Sequence, residues 1–144
     1  HPNLINVVPA KATLTLDIRN TDNNELMRAE SEVAQFLKDI AEREGVSITS
    51  KSLARFDPVQ FDERVISIVH ETAKELGNTV QRMPSGAGHD AQMLARVCPS
   101  GMIFVPSVKG ISHNPAEHTD SEDLQAGADI LLHTMISLTT ATFS

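Results

Sequence analysis

Alternation of hydrophobic and polar positions marks the first regular segment of the chain. Between residues 11 and 19, apolar side chains occupy every second position and polar or charged side chains occupy the positions between them. This period of two is typical of a β-strand with one buried face. We therefore predict a strand over Lys11–Arg19, preceded by an extended, proline-containing lead-in over residues 1–10.

A helical pattern follows this strand. Asp22 and Glu25 have the spacing of a capping box, and Gly45 stands where the C-cap of a helix is expected. Between these signals the apolar residues recur at helical spacing and form one stripe: Leu26, Ala29, Val33, Leu37, Ile40 and Ala41. A second alternating stretch over residues 46–51 predicts another strand, so the first third of the chain is predicted as strand–helix–strand.

The pattern changes after Arg55, and Asp57-Pro58 is a candidate domain boundary. Five further elements are predicted: a helix over 62–76, a short strand over 79–82, a short helix over 89–97, a fully buried strand over 102–105 and a closing helix over 120–138. The closing helix is expected to face inward with Leu124, Ala128, Leu131, Leu132, Met135 and Leu138. Because strands and helices alternate, the second part of the chain is predicted to be α/β.

Composition narrows the possible classes of function. The chain has 144 residues, of which 40% are hydrophobic and 22% charged, and this suits one globular domain or two small lobes. Its net charge of −7 disfavours nucleic-acid binding, and no apolar run approaches the roughly 20 residues needed to cross a bilayer. The single cysteine, Cys98, excludes an internal disulfide and a zinc cluster built from thiolates.

A glycine-containing loop over residues 85–90 is the first candidate for chemistry. Its glycines would let the backbone approach a ligand, and His89 and Asp90 fall where the amides of a helix N-terminus are free. The alternative interpretation is a tight turn into a helix, with Asp90 opposite the helix dipole. Ser85 lacks the surroundings of a nucleophile elbow, so it is not a candidate nucleophile.

A second polar loop, residues 110–118, contains His113, Glu117 and His118. These side chains are of the types that bind metals or act as general bases. The helical zinc motifs do not fit, because Pro115 interrupts the segment, so this loop supplies one or two ligands at most. The alternative interpretation is a polar surface loop that leads into the closing helix.

Three stretches of the sequence resemble one enzyme family. They are INVVPAKATLTLDIR (residues 5–19), PSGAGHDAQ (84–92) and MIFVPSVKGISHNPAEHT (102–119). Together they resemble the hydantoinase/carbamoylase group of zinc amidohydrolases, within the superfamily of zinc aminoacylases and carboxypeptidases. That group contains N-carbamoyl-L-amino-acid hydrolases, β-ureidopropionases and allantoate amidohydrolases.

This resemblance implies an architecture. Family members have an α/β, zinc-peptidase-like catalytic domain that is interrupted by a smaller α+β dimerisation (lid) domain. Residues 1–55 would form the second half of the lid domain, and residues 56–144 would form the C-terminal part of the catalytic domain. A homodimer formed through the lid domains is also implied, as is a cytoplasmic location, which the single cysteine favours.

The resemblance also implies roles for individual residues. His113 matches a zinc ligand of the family, and Gly88 matches a backbone contact to the substrate. Asn6 and Arg19 match residues that bind the carboxylate or ureido end of the substrate in the neighbouring subunit. The other metal ligands and the catalytic glutamate of the family match positions before residue 1. No catalytic residue is therefore assigned, and the chain alone is expected to be an inactive fragment.

The implied reaction is metal-dependent hydrolysis of linear amide or ureido C–N bonds, with two Zn²⁺ or Mn²⁺ ions in the complete enzyme. The foremost substrate class is an N-carbamoyl-L-amino acid, cleaved to the amino acid, carbon dioxide and ammonia. Two alternatives stay open. One is an allantoate amidohydrolase, and the other is a dimerisation fragment without catalytic function.

Overall fold

The computed structural model describes residues 3–140, and all regular secondary structure in this part of the chain is helical. The helices over these residues are α1 (Asn23–Glu44), α2 (Glu63–Glu75), α3 (Asp90–Leu94) and α4 (Ser121–Thr140), with a 3₁₀ turn at Val108–Gly110. The chain divides into two compact units between Asp57 and Pro58. Within residues 3–140, no helix combines the length and the apolar character needed to cross a bilayer.

The first unit contains α1, which Asp22 and Gly45 cap as the sequence predicts. The capping box is not completed, because the Glu25 carboxylate binds Arg28 and the Asp22 N–H donates to Oδ1 of Asn20. The Asp22 carboxylate accepts hydrogen bonds from the backbone N–H groups of Asn24 at 2.7 Å and Glu25 at 3.3 Å. Gly45 ends the helix in the left-handed conformation, with φ of 64°. Leu26 is buried and the other five positions of the predicted stripe are half-buried, so the predicted inward face of α1 is confirmed.

The four predicted strands, over 11–19, 46–51, 79–82 and 102–105, form no β-ladder within residues 3–140. Leu14 and Leu16 remain 78% and 62% exposed, although the alternation predicted that they face a core. A half-buried strand needs a neighbouring strand for its backbone groups and a packed layer for its apolar face. The strand part of the α/β prediction is therefore not confirmed. The prediction that residues 102–105 are fully buried is wrong, since Phe104 is 54% exposed.

In the second unit, α2 packs against α4. Asp62 is the N-cap of α2, and its carboxylate accepts hydrogen bonds from the backbone N–H groups of Arg64 at 2.9 Å and Val65 at 3.2 Å. The buried side chains of these two helices are Val65, Thr72 and Ala73 on α2 and Ile130 and Thr134 on α4. The helix predicted over 62–76 is confirmed within one residue at each end.

The inward face predicted for α4 is wrong. Leu124, Leu131, Leu132 and Met135 are more than half exposed, whereas the buried positions are Ile130 and Thr134. These two residues are one helical turn apart and lie on another face of the helix. Because α4 carries apolar side chains on more than one face, hydrophobic periodicity alone does not identify the face that packs against α2.

Candidate functional site

His113 lies in an exposed loop of the second unit, between the 3₁₀ turn and α4. Its backbone is in the left-handed region with φ of 55°, which is uncommon for a residue other than glycine. The His113 N–H donates a hydrogen bond to Oε2 of Glu117 at 2.8 Å. The imidazole is exposed, and among residues 3–140 neither of its ring nitrogens has a hydrogen-bond partner, so the ring is available to a ligand.

A turn returns the Glu117 carboxylate to the backbone of His113. The Asn114 side chain accepts the N–H of Ala116 at 2.9 Å, and the Asn114 carbonyl accepts the N–H of Glu117, also at 2.9 Å. Asparagine side chains often close turns of this kind by bonding to the backbone two residues further on. These two hydrogen bonds fix the course of the backbone from Asn114 to Glu117. The turn therefore places the Glu117 carboxylate beside the His113 N–H that it binds.

The base of this loop is closed by a separate set of hydrogen bonds. The Val108 N–H donates to the His118 carbonyl at 2.8 Å, and the Ser107 hydroxyl lies 3.4 Å from the same oxygen. The Ser107 hydroxyl also donates to the carbonyl of Ile111. These bonds hold the two ends of the loop together. Sequence reasoning missed Ser107, because a single serine before a loop carries no distinguishing pattern.

His118 and Asp120 form an exposed pair at the end of the loop, with 3.5 Å between Nε2 of the imidazole and Oδ1 of the carboxylate. Over the residues that the structure describes, no three His, Cys, Asp or Glu side chains come together as a metal-binding group. A protein zinc site uses three or four such ligands. The described residues therefore do not form a complete metal centre, and the role of the exposed His113 imidazole as one of its ligands stays a prediction.

In the glycine loop, His89 caps the helix that follows it. Nδ1 of His89 accepts the N–H of Ala91 at 3.0 Å and so caps α3, which begins at Asp90. The alternative interpretation given for this loop, a tight turn into a helix, agrees with this geometry, although that interpretation assigned no capping role to His89. The predicted helix over 89–97 is shorter than expected, since α3 ends at Leu94.

Gly88 has no structural requirement for glycine within the described residues. A Cβ built on Gly88 meets no atom within 4 Å, and its φ lies outside the left-handed region. The same open space surrounds a Cβ on Gly86. No hydrogen bond joins Gly88 to His113 over residues 3–140, and a contact of Gly88 with substrate stays a prediction.

Arg19 and Asn6 belong to the first unit and both are exposed. The Arg19 guanidinium binds the Asp17 carboxylate through two nitrogens, at 3.0 Å from Nε and 2.7 Å from Nη2. This hydrogen bonding lowers the pKa of the Asp17 carboxyl from its ordinary value. The Arg19 fork thus has the geometry that binds a carboxylate, while the roles of Asn6 and Arg19 toward a substrate stay predictions.

Comparison with known proteins identifies relatives whose sequences align with nearly the whole chain. N-carbamoyl-L-amino-acid amidohydrolase from Rhizobium meliloti is 40% identical over 135 residues, which are 94% of this chain and 32% of that protein. Allantoate amidohydrolase from Bacillus subtilis strain 168 is 36% identical over 137 residues, which are 95% of this chain and 33% of that protein. The chain therefore spans about a third of the length of the curated relatives it matches.

A solved structure shows the same similarity. The crystal structure of an amidase of the hydantoinase/carbamoylase family from Burkholderia vietnamiensis superposes with a TM-score of 0.76 at 34% sequence identity. The match covers 81% of this chain and 28% of that chain. The resemblance drawn from residues 5–19, 84–92 and 102–119 is thereby confirmed. Residues 5–137 match the Peptidase family M20/M25/M40, and the chain belongs to that family.

Proposed function

We propose that this chain is the C-terminal part of a metal-dependent hydrolase that cleaves linear amide or ureido C–N bonds. The observation that carries the proposal is the exposed His113 imidazole, held on a hydrogen-bonded loop with a left-handed backbone, inside a sequence that matches the family over residues 5–137. Backbone conformations of this kind persist where the surrounding structure holds them, and they concentrate at functional sites.

The exposed apolar faces support the view that the chain works as part of a longer protein. Leu131, Leu132 and Met135 on α4 and Leu14 and Leu16 in the first unit are each more than half exposed. Large apolar side chains in contiguous exposed patches usually mark surfaces that another part of the protein or a partner covers. The curated relatives, of which this chain spans about a third, are long enough to supply such cover.

Each proposed site residue has a distinct task. His113 would provide one imidazole ligand to the metal centre, and a bound Zn²⁺ or Mn²⁺ pair supplies Lewis-acid and water-activating chemistry when present. Arg19 would bind the carboxylate of a substrate held in the neighbouring subunit through its planar fork, in the manner in which it now binds Asp17. Asn6 would offer an amide to the carboxylate or ureido end of that same substrate in the neighbouring subunit. Gly88 would offer backbone groups with open space beside them.

The foremost substrate is an N-carbamoyl-L-amino acid, which one water molecule hydrolyses to the amino acid, carbon dioxide and ammonia. Allantoate is the alternative, and it presents the same recognition problem of a ureido group beside a carboxylate. Relatives named for each of the two substrates are similar to this chain to nearly the same degree. A homodimer, a cytoplasmic location and an α/β catalytic domain complete the proposal. The competing proposal is a dimerisation fragment without catalytic function.

Ammonia release tests the proposal. The whole protein that contains this chain is loaded with Zn²⁺ or Mn²⁺ and incubated with N-carbamoyl-L-amino acids, β-ureidopropionate and allantoate. Ammonia from one of these substrates supports the proposed reaction and identifies the substrate class. Absence of ammonia from all of them, in a protein that binds no metal, favours the dimerisation fragment.

A further inference from the structure

We propose that Glu117 is a positioning residue, which acts through its hydrogen bond to the backbone of His113 and not as a metal ligand or a base. The inference rests on the proposed function, in which His113 binds the metal. Oε2 of Glu117 accepts the His113 N–H at 2.8 Å, and the two residues lie at opposite ends of one tight turn.

The backbone of His113 explains why such a bond is needed. A left-handed conformation is sterically unfavourable for a residue with a Cβ, and His113 adopts it with φ of 55°. The conformation persists only where neighbouring groups hold it, and the Glu117 carboxylate holds it directly at the N–H. Because φ determines where the Cβ points, loss of this bond would redirect the imidazole.

The rest of the turn is arranged to present the Glu117 side chain to that N–H group. The Asn114 carbonyl accepts the Glu117 N–H, and the Asn114 side chain accepts the Ala116 N–H. Glu117 therefore has its backbone fixed at one side of the turn and its carboxylate at the other. Groups that hydrogen-bond to a ligating side chain typically change metal affinity 10- to 100-fold when they are removed. Because Glu117 binds the backbone of His113 and not its ring, we expect an effect at the lower end of this range.

Two substitutions distinguish the effect of the hydrogen bond between Glu117 and His113 from the effect of the negative charge of Glu117. Glu117→Gln keeps an oxygen at the same reach and removes the charge, so it preserves the hydrogen bond to the His113 N–H. Glu117→Asp keeps the charge but is one methylene shorter, so its carboxylate falls short of that N–H. Glu117 is exposed, so neither change alters a buried side chain, and Glu122→Asp is the matched control at an exposed glutamate in the first turn of α4.

The readout is the Zn²⁺ affinity of the whole protein, measured by competition with a chelating dye, together with the visible spectrum of the Co²⁺ form. We expect Glu117→Gln to bind Zn²⁺ within about twofold of the wild type and Glu117→Asp to bind it about tenfold more weakly, with an altered Co²⁺ spectrum. Glu122→Asp should behave as the wild type.

The inference is overturned if Glu117→Asp binds Zn²⁺ as tightly as the wild type, because the bond would then have no role. It is equally overturned if Glu117→Gln weakens binding as much as Glu117→Asp, because the charge would then be the required property. His113→Ala distinguishes these failures from failure of the proposed function. If His113→Ala leaves Zn²⁺ binding unchanged, the ligand assignment itself is wrong, whatever Glu117 does.

Discussion

Gly127 of α4 lies so close to Val105 that a Cβ built on the glycine would be 2.5 Å from Cγ1 of the valine. Real Cβ atoms do not approach other atoms so closely, and a valine side chain is stiff about its χ1 torsion. The absence of a side chain at Gly127 therefore lets α4 approach the segment that leads into the loop carrying His113. This contact places the segment before that loop against a helix.

The first prediction concerns this contact. Gly127→Ala should destabilise the protein, because overpacking costs about 1–3 kcal/mol and exceeds the gain of about 1 kcal/mol from alanine in a helix. The measurement is the free energy of unfolding in denaturant, with Gly86→Ala as the control, since a Cβ on Gly86 meets no atom within 4 Å. A Gly127→Ala variant more stable than the wild type would contradict the close approach.

The second prediction concerns the packing of α2 on α4. Thr134 is 3% exposed, and over residues 3–140 its hydroxyl has no hydrogen-bond partner. Thr134→Val removes this buried polar group at similar shape and should stabilise the protein by about 1 kcal/mol. Thr139→Val is the control, since the Thr139 hydroxyl is exposed and donates to the Ile136 carbonyl at 2.7 Å. If Thr134→Val instead lowered the melting temperature, the prediction would fail, because the Thr134 hydroxyl would then make a hydrogen bond in the folded protein.

The third prediction concerns the pH dependence of stability. The hydrogen bond from Arg64, with those from the backbone of α2, lowers the pKa of Asp62 in the folded state. A lowered folded pKa gives stability that is fully present above the unfolded pKa of about 3.9 and is lost as pH falls through the folded pKa. The melting temperature of wild type should therefore exceed that of Asp62→Asn at pH 7, and the difference should shrink in acid below about pH 4.

Arg64→Ala provides the control for this effect, because it removes the main cause of the lowered pKa and leaves the Asp62 cap. In the Arg64→Ala background, the fall in melting temperature caused by Asp62→Asn should change less between neutral and acidic pH. If the melting-temperature difference between wild type and Asp62→Asn instead grew as the pH fell, the pKa of Asp62 would not be lowered in the folded state.

The fourth prediction concerns Gly88. Gly88→Ala should leave the melting temperature unchanged, since its Cβ enters open space, and should raise KM severalfold if the substrate lies against the backbone there. Gly86→Ala, which also enters open space, should change neither quantity. An unchanged KM for Gly88→Ala would remove this residue from the proposed substrate site.

Local signals explain which parts of the fold the sequence predicts correctly. Asp22, Gly45 and the apolar stripe of α1 act over a few residues, and the structure confirms all of them. On α4, apolar side chains on several faces leave the packed face undetermined, because the choice depends on which surface meets α2. The expected strand over 11–19 depends on pairing with other segments, which no local pattern supplies.

The candidate site shows the same division. His113 and Glu117 are recognisable in the sequence as residues of ligand type, but their relationship depends on a left-handed backbone at His113. A glycine at this position would have indicated a left-handed backbone from the sequence alone, whereas a histidine does not. The capping role of His89 is similarly invisible, because histidine is not a usual N-cap residue.

The most direct test of the central claim is the dependence of ammonia release on His113. The whole protein, loaded with Zn²⁺ or Mn²⁺, is assayed with its best ureido substrate as wild type, His113→Ala and His118→Ala, each with and without a chelator. We predict that the wild type and His118→Ala release ammonia and lose activity with the chelator, and that His113→Ala is inactive or nearly so. Equal ammonia release by His113→Ala and the wild type, or activity that the chelator leaves intact, would contradict the claim.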